Sequence, residues 1–511
     1  MEIIFTLLPS WFFTTLFMLI CIFIWRSTYG SSKGAYKLPP SPTKLPIIGN
    51  LHQILTKPRH EALWDLSKKH GPIMQIHIGS KPYLIISSPT MAKQILKTQD
   101  HVFCSRPLFE ATKQLTYNFL DIAFSPHSSH WRDMRKLLVT ELLGPKRAKL
   151  FKSVLVMEIE TMISTLSSHP SNTQVNLNRL FLTIVKGLVC KVAFGNNYRE
   201  EPLKGPSWEV MLSETMLLLN GSVGDSFPWL GRIIDNVTGW NSRLSNGFSN
   251  LDAYIDTLID DHRKHNLEEI SDDEKDFVHS LLELSSTANA SGLQLTNGDI
   301  KALIMDVLTG GIDTTVVTMV WAMSEIIRNP RVMQKLQKEI RDCTGRIEHV
   351  NELDIAKMKY LKMVVKETLR LHTPAPLLIP HECLTRSQIC GYDVFPGTSA
   401  IINAWGIARD QNNWGDNAEE FYPERFENLD VDFGIGNFEM VPFGGGRRAC
   451  PAMNTSPTNI EFLLAHLLYW FDWKFPVGVT CEDMNMEATG TLVLEKKLPL
   501  HLIPTKHKWQ E

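Results

Sequence analysis

The chain has 511 residues, of which 43% are hydrophobic and 21% charged, as in ordinary globular proteins. Its formal net charge of −3 excludes the basic excess that marks most nucleic-acid-binding proteins, so no nucleic-acid partner is expected. A chain of this length can bury a large core together with a cofactor.

The first predicted element is an apolar helix within residues 1–28. The run Ile3–Trp25 carries no charge, and its length suits a helix crossing a hydrocarbon layer of roughly 30 Å. Arg26 and Lys33 follow it, which predicts that the rest of the chain stays on the cytosolic side. A cleaved secretory signal is the alternative, but such signals begin with positive charge and this chain begins Met1-Glu2. We therefore predict a retained membrane anchor.

Residues 29–50 form a predicted hinge. Its core reads LPPSPTKLPIIG at positions 38–49. Prolines at 39, 40, 42 and 46 cannot continue a helix and hold the backbone extended. The segment is expected to be a stiff spacer between the anchor and a single catalytic domain, residues 51–511.

That domain is predicted to be mainly α with small β-sheets. Residues 266–298 are polar and are expected to form a surface connection. Helical periodicity predicts helices at Glu61–His70, Lys146–Ser167, Phe248–Asn266, Ile300–Arg328, Arg331–Cys343, Leu361–His372 and Asn459–Trp470. Short β-like runs predict strands at Ile73–Ile78, Tyr83–Ile86 and Thr491–Glu495.

Eight cysteines are scattered without a CxxC pair, which argues against a zinc ribbon, a dithiol redox pair or a disulfide scaffold. Most are expected to be small buried apolar side chains. Cys450 differs because it lies in PFGGGRRACPA, residues 442–452. The glycines permit positive φ angles, and Arg447 and Arg448 beside the sulfur favour a thiolate. Pro451 is expected to open the following helix.

A single thiolate suits a haem iron, whose equatorial ligands come from the porphyrin. From these residues alone, a glycine-rich surface loop with an incidental cysteine remains an equal alternative. The triple glycine does not match the GxGxxG spacing of a dinucleotide-binding turn.

The same segment resembles the haem-binding loop of cytochrome P450 enzymes, F-x-x-G-x-R-x-C-x-G. Phe443, Gly446, Arg448 and Cys450 match this pattern, and Ala452 stands where the family usually has glycine. With its anchor and proline hinge, the chain most resembles microsomal plant enzymes of specialised metabolism. The resemblance implies the cytochrome P450 fold, haem b with Cys450 as axial ligand, and single-pass anchoring in the endoplasmic reticulum membrane.

Residues 308–315, LTGGIDTT, lie inside a long apolar helix. Glycines in a helix interior each cost about 1 kcal/mol relative to alanine, and close packing against a neighbouring helix is one explanation. The segment also resembles the family's [AG]-G-x-[DE]-T. The resemblance implies that Gly310 and Gly311 make room for dioxygen and that Asp313 and Thr314 relay protons during its activation.

Trp131 and Arg135 are four residues apart on one helical face and resemble the family's W-x-x-x-R pair. The resemblance implies that they bind the haem propionates together with His381 and Arg448. For His381, a histidine in a surface loop is the alternative.

Glu367 and Arg370, in KETLR, share one helix face, and Pro423–Phe426 reads PERF. An exposed surface pair is the default for such spacing. The resemblance implies a buried network of Glu367, Arg370 and Arg425 that holds the core beneath the haem. Its role would be structural, and removing one member would strand a buried charge.

The expected substrate is a hydrophobic small molecule, with plant terpenoids, alkaloids and phenolics all compatible. The segments expected to line its pocket are Leu108–Phe124, Met211–Phe227, Asp306 and Gly310, Ala375–Ile379 and Ala488–Thr491.

The chain shows no flavin or nicotinamide domain, and the resemblance implies electrons from a membrane-bound NADPH-dependent cytochrome P450 reductase. Arg132, Lys136, Arg447 and Lys146 are candidates for its docking face, with scattered solvated charge as the alternative.

The sequence therefore predicts a haem-thiolate monooxygenase that inserts one oxygen atom from O2 into a hydrophobic small molecule. A haem-thiolate isomerase or dehydratase that acts without a reductase is the alternative. A haem-binding sensor is a third possibility. The acid and alcohol at Asp313 and Thr314 favour the first, because the other two need no proton relay.

Overall fold

The computed structural model describes residues 36–195, 205–222, 224–227, 230–264, 275–286, 294–345, 350–429, 433 and 436–509. Of the predicted anchor it describes only residues 14, 15, 17–19 and 22, all helical. The remainder of residues 1–28, and 29–35 of the hinge, lie outside the described residues, so the anchor stays a prediction.

The fold is mainly helical with four small sheets. The helices are α1 Leu51–Ile54, α2 Arg59–His70, α3 Pro89–Lys93, α4 Asp100–Phe103, α5 Glu110–Leu115, α6 Ser129–Glu141, α7 Pro145–Ser167, α8 Leu177–Phe194, α9 Trp208–Leu218, α10 Gly231–Val237, α11 Trp240–Arg263, α12 Phe277–Ser286, α13 Asn297–Gly311, α14 Asp313–Arg328, α15 Pro330–Thr344, α16 Glu352–Lys357, α17 Lys359–Leu371, α18 Ala404–Ile407, α19 Gln411–Trp414 and α20 Thr455–Trp470. The strands are β1 Ile73–Ile78, β2 Lys81–Ile86, β3 Val175–Asn176, β4 His381–Glu382, β5 Ser387–Ile389, β6 Tyr392–Val394, β7 Ser399–Ile402, β8 Phe471–Lys474, β9 Ala488–Thr489, β10 Glu495–Lys496 and β11 His501–Lys506.

The centre of the domain is the long stretch formed by α13 and α14. It begins with a capping box, in which Thr296 Oγ1 accepts from the Asp299 amide and Asp299 Oδ2 accepts from the Thr296 amide. It is interrupted at Ile312. Among the described residues, Asn297–Arg328 is the one helical stretch long and apolar enough to cross a membrane, and 72% of its most apolar window is buried. That burial makes it the core helix of the domain.

The largest sheet has the strand order β1-β2-β7-β4. β1 and β2 form an antiparallel hairpin, β7 joins β2 in parallel, and β4 pairs antiparallel with β7. Strand β7 therefore lies between β2 and β4. It holds His381 of β4 close to a hairpin that lies about 300 residues earlier in the chain. The sheet is therefore a product of long-range packing.

The predicted buried network of Glu367, Arg370 and Arg425 is present. Glu367 and Arg370 have no exposed surface. Arg370 Nε lies 2.7 Å from Glu367 Oε2, and Arg425 Nε lies 2.9 Å from Glu367 Oε1. The network joins α17 to the helical turn Pro423–Phe426, and it is interior rather than a surface pair.

The strand predicted at Thr491–Glu495 is wrong. Leu494 donates its amide to Pro374 O at 2.9 Å, and its carbonyl accepts from the Trp321 indole at 3.0 Å. These backbone groups are bound to other parts of the core, so they do not take part in a strand. Strand pairing in this region is limited to that between β9 and β10, which lie before and after Leu494.

Two further expectations need correction. Within the predicted surface connection 266–298, residues 277–286 form α12, whose Phe277, Val278 and Leu281 are fully buried. Residues 265–274 and 287–293 lie outside the described part. Pro451 does not open the next helix, because residues 451–454 form a turn and α20 begins at Thr455.

Candidate active site

The loop that carries Cys450 is closed by its own backbone. The Cys450 amide donates to Phe443 O at 2.9 Å, and the Phe443 ring meets Phe433 edge to face at 5.2 Å. Gly446 has φ +65°, and a Cβ there would lie 2.1 Å from Leu96 O. Only glycine fits this position, for conformation and for space. The glycine turn therefore fixes where the Cys450 sulfur lies.

The cation beside this sulfur is Arg135, not Arg447 or Arg448 as the sequence suggested. Arg447 Nη1 turns away to Asp100 Oδ2 at 2.6 Å, whereas Arg135 Nη2 donates to Ala449 O at 2.5 Å. Burial raises the pKa of the Cys450 thiol, and the Ala452 amide and Arg135 oppose that rise. Because burial dominates, the thiolate form here requires a further positive partner such as a metal ion.

Trp131 and Arg448 stack next to the same loop, with the guanidinium 4.0 Å from the indole centroid. Trp131 Nε1 donates to Ile122 O at 3.0 Å. Arg448 donates to Cys104 O and to Ser125 O, each at 2.7 Å. Both side chains are almost fully buried, so α6 and the segment before it enclose the polar side of the Cys450 loop.

His381 is 4% exposed, which rules out the surface-loop alternative. Its Nδ1 donates to Phe103 O at 2.8 Å, since a carbonyl can only accept. Burial, and then the charge of Arg106, hold the pKa of His381 well below its usual value. The side chain is therefore a neutral imidazole.

Arg106 was missed by the sequence reading. It is 4% exposed, and it donates to Ile379 O at 2.7 Å and to Ala123 O at 3.0 Å. The signal in the sequence was slight: an arginine before proline in the apolar stretch VFCSRP. Its position among Arg448, Arg135 and His381 becomes evident only in the folded chain.

The buried arginines form an excess of positive charge. Burial and the charge of Arg448 hold the pKa of Arg106 well below its usual value, and burial lowers the pKa of Arg448 to about 10. The carboxylates close to them are Asp121 and, near Arg448, Asp100, which is itself paired with Arg447. Buried charge of one sign is costly unless opposite charge accompanies it. A prosthetic group bearing two carboxylates, as haem does, fits this cluster.

The interrupted part of the central helix carries the second group of predicted site residues. A Cβ on Gly310 would meet no atom within 4 Å, although most of α13 is buried. Thr314 Oγ1 donates to Gly310 O at 2.8 Å, and burial, followed by the charge of Glu495, raises the pKa of Asp313 to about 6. Gly310 therefore borders open space, whereas a Cβ on Gly311 would contact Val189 at 3.4 Å. Asp313, three residues after Gly310, is an acid whose pKa lies within about a unit of neutral pH.

Asp306, which was predicted to line the substrate pocket, is also hydrogen-bonded to the backbone of another predicted pocket segment. Its Oδ2 accepts from the Ile122 amide at 2.7 Å, and Asp121 Oδ2 accepts from the Phe124 amide at 2.6 Å. Burial and the charge of Asp121 raise the pKa of Asp306 well above its usual value. Asp306 is the member of this pair that holds the proton, because Asp121 lies beside two arginines.

Three of the predicted pocket segments meet in the structure. The Glu110 amide donates to Asp225 Oδ1 at 3.1 Å, joining Leu108–Phe124 to Met211–Phe227, and Arg106 ties Ile379 to the first of these. Tyr117, Asn118 and Phe119 all have positive φ angles, which is strained for residues other than glycine. A strained loop of this kind is typical of a ligand-binding wall. Ala488 lines a cleft of about 430 Å³ together with Trp321 and His372, and its place in the substrate pocket stays a prediction.

The described residues form a mainly helical domain with a partly buried cysteine on a glycine turn, buried arginines next to that turn, and a central helix that is interrupted at Ile312. These features define a haem-thiolate protein.

A family model described as "Cytochrome P450" matches residues 39–502. The chain belongs to the cytochrome P450 family, whose members are monooxygenases that bind haem through a cysteine thiolate and act with O2 on small molecules.

Its similarity to individual plant enzymes extends over the full length. The chain is 53% identical over 509 residues to parthenolide synthase of Tanacetum parthenium, covering 98% of this chain and 99% of that protein. It is 44% identical over 507 residues to eupatolide synthase of Helianthus annuus, covering 99% of each. A zebra fish cytochrome P450 structure with abiraterone covers 88% of this chain and 100% of its own, at 20% identity and a TM-score of 0.72, and supports the fold.

Proposed function

We propose that this protein is a membrane-anchored monooxygenase that oxidises a terpenoid, with Cys450 as the axial ligand of its haem. The observation that carries the proposal is the position of Cys450 on a glycine-dependent turn, with Arg135 beside the sulfur. Among terpenoids, alkaloids and phenolics, the terpenoids are favoured by similarity to parthenolide synthase and eupatolide synthase, two terpenoid-modifying enzymes.

When bound, the haem supplies the redox chemistry that activates dioxygen. The chain's own residues hold the group in place. Trp131, Arg135, His381 and Arg448 are the proposed propionate partners, and Arg106 is added to them on the evidence of its burial. Trp131 would have to exchange the Ile122 carbonyl for the propionate, and His381 would have to take up a second proton on Nε2 in order to donate to it. Phe443 supports the loop through its carbonyl and its ring.

Asp313 and Thr314, on the central helix, are the proposed proton donors. The pKa of Asp313, raised to about 6, lets this carboxyl take up and release a proton near neutral pH. The Thr314 hydroxyl donates to Gly310 O and retains lone pairs that can accept from a water molecule. An isomerase or dehydratase would need neither group.

Electrons are proposed to come from an NADPH-dependent cytochrome P450 reductase. Arg132 and Lys136 are exposed on α6, whereas Trp131 of the same helix is buried. Arg447 is half exposed and paired with Asp100, and the side chain of Lys146 lies outside the described part. Exposed basic groups this close to the Cys450 loop suit an acidic partner.

The proposed organisation is an anchor at residues 1–28, a hinge at 29–50 and a catalytic domain at 51–511. The anchor would place the domain on the cytosolic face of the endoplasmic reticulum membrane, near a reductase anchored in the same membrane.

Spectroscopy and isotope labelling test the proposal. The reduced, carbon-monoxide-bound protein should show the red-shifted Soret band of thiolate-ligated haem. Cys450→Ser should lose that band, and Cys481→Ser, at a partly exposed cysteine, should keep it. A normal band in Cys450→Ser would refute the ligand assignment.

Terpenoids that shift the ferric haem spectrum would then be incubated with the enzyme, reductase, NADPH and ¹⁸O2. One labelled oxygen atom per product supports the proposed reaction. Unlabelled product formed without NADPH would instead establish an isomerase or dehydratase.

A further inference from the structure

A second group of potential metal ligands lies where α8, α11 and α12 meet. His262, Asp276 and His279 are all buried, with exposed fractions of 7%, 3% and 8%. One ligand atom from each lies within 4.8 Å of the others. None of the three belongs to the Cys450 loop or to the arginine cluster, and the proposed oxidation uses none of them.

The hydrogen bonds of His262 fix its tautomer. Its Nδ1 lies 2.6 Å from Leu258 O, a carbonyl that can only accept, so the proton is on Nδ1. Its Nε2 lies 3.1 Å from Phe194 O and 3.1 Å from Asp276 Oδ2. When the ring is neutral, three atoms that carry lone pairs therefore face one another: His262 Nε2, Phe194 O and Asp276 Oδ2. A cation or a second proton must lie between them.

His279 adds a fourth donor atom. Its Nδ1 lies 2.9 Å from the same Asp276 Oδ2. Its Nε2 is buried and has no hydrogen-bond partner among the described residues. Nitrogens of two imidazoles thus lie next to Asp276 Oδ2, and the Phe194 carbonyl lies next to one of them. The Asp276 amide also donates to His279 Nδ1, at 3.4 Å, and a metal ion on this nitrogen would replace that long contact.

The spacing of these atoms suits a tetrahedral metal ion. Bonds of about 2.0–2.1 Å in tetrahedral geometry place neighbouring ligand atoms about 3.3 Å apart. The three contacts measured here, 2.9, 3.1 and 3.1 Å, need to lengthen by only a few tenths of an ångström. The ligand atoms of the three side chains lie within 4.8 Å of one another, so the most distant pair has to move closer together around the ion.

The outer contacts also match those of metal sites. A histidine that binds metal through one nitrogen commonly donates its other N–H to a carbonyl, as His262 does to Leu258. Asp276 Oδ1 accepts from the His279 amide at 2.9 Å, which orients the carboxylate. Gly195 leaves room for it, since a Cβ there would lie 2.9 Å from Asp276 Oδ2.

We propose that His262, Asp276 and His279, with the carbonyl of Phe194, bind one Zn²⁺ ion. Zinc is favoured because it takes mixed imidazole and carboxylate ligands in a four-coordinate arrangement. All four positions are filled by the protein, so the ion is structural. It joins the ends of α8 and α11 to the start of α12.

Zinc analysis of the full-length haem protein tests this proposal. The protein is purified through a tag without histidine, dialysed against a weak chelator, and analysed for zinc and haem. Wild type and His52→Gln, a control at an exposed histidine on α1, should retain about one zinc per chain. His262→Gln and His279→Gln should retain at least ten-fold less, with the thiolate haem band unchanged.

Zinc removal and return provide the second measurement, which does not depend on the variants folding. Stripping wild type with a strong chelator should lower its melting temperature, and stoichiometric Zn²⁺ should restore it. Wild type that holds no zinc above background and melts identically with and without Zn²⁺ would overturn the proposal. If that zinc-free protein instead loses stability as the pH rises, the cluster binds a proton and not a metal.

Discussion

Replacing Glu367 with glutamine should destabilise the protein far more than the same change at the nearby Glu424. Glu367 Oε1 and Oε2 accept from Arg370, from Arg425 and from the Tyr422 amide at 2.7–2.9 Å. Glutamine keeps one acceptor oxygen but turns an NH2 group toward guanidinium N–H donors. It also leaves two buried arginines without their counter-charge.

The magnitude follows from burial. Removing one partner of a buried ion pair costs about 3–5 kcal/mol. Glu424 also binds cations, but its partners Arg331 and Lys335 are 58% and 50% exposed, and pairs of this kind contribute about 0–1 kcal/mol. Two such pairs contribute at most about 2 kcal/mol for Glu424. We therefore expect a difference of at least about 1 kcal/mol between the variants, against a total stability of about 5–15 kcal/mol for a typical protein.

The assay is urea denaturation of wild type, Glu367→Gln and Glu424→Gln, followed by the thiolate haem band and by far-ultraviolet circular dichroism. Glu424→Gln should have a midpoint close to that of wild type. Glu367→Gln should unfold at much lower urea or fail to accumulate as haem protein while Glu424→Gln accumulates normally. Equal midpoints for the two variants would refute the reasoning from burial.

Three further predictions concern the central helix. Thr314→Ala should uncouple NADPH consumption from product formation, measured as the ratio of product to NADPH, and unchanged coupling would remove Thr314 from the proton path. Because folding raises the pKa of Asp313 from 3.8 to about 6, ionising it destabilises the fold increasingly from pH 4 to 6 and fully above pH 6. In denaturation experiments, the difference in free energy of unfolding between Asp313→Asn and wild type should therefore shift in favour of the variant by about 2 kcal/mol from pH 4.5 to pH 7.5. A difference that does not change with pH would contradict this. Asp306→Asn should change stability by less than about 1 kcal/mol because this carboxyl is already neutral, whereas Asp306→Leu, which strands the Ile122 amide, should cost about 1–3 kcal/mol by the same measurement.

The sequence predicted the elements whose chemistry is local. Glu367 and Arg370 are three residues apart on a helix, so their pairing follows from the helical repeat. Most long helices and the strand Ile73–Ile78 were predicted within a few residues. The strand at Thr491–Glu495 failed because the backbone of Leu494 is bound to Pro374 and Trp321, partners far away in the chain.

The site shows the same division. From the sequence alone came Cys450 in its glycine-rich loop and the Asp313-Thr314 pair, since both are short motifs whose backbone geometry is set by adjacent residues. Only the tertiary structure decided that Arg135 is the cation near Cys450, that Arg106 belongs to the buried arginine cluster, and that His262 faces Asp276. Charge and burial act through space, and spacing along the chain does not report which distant side chains packing brings within a few ångströms.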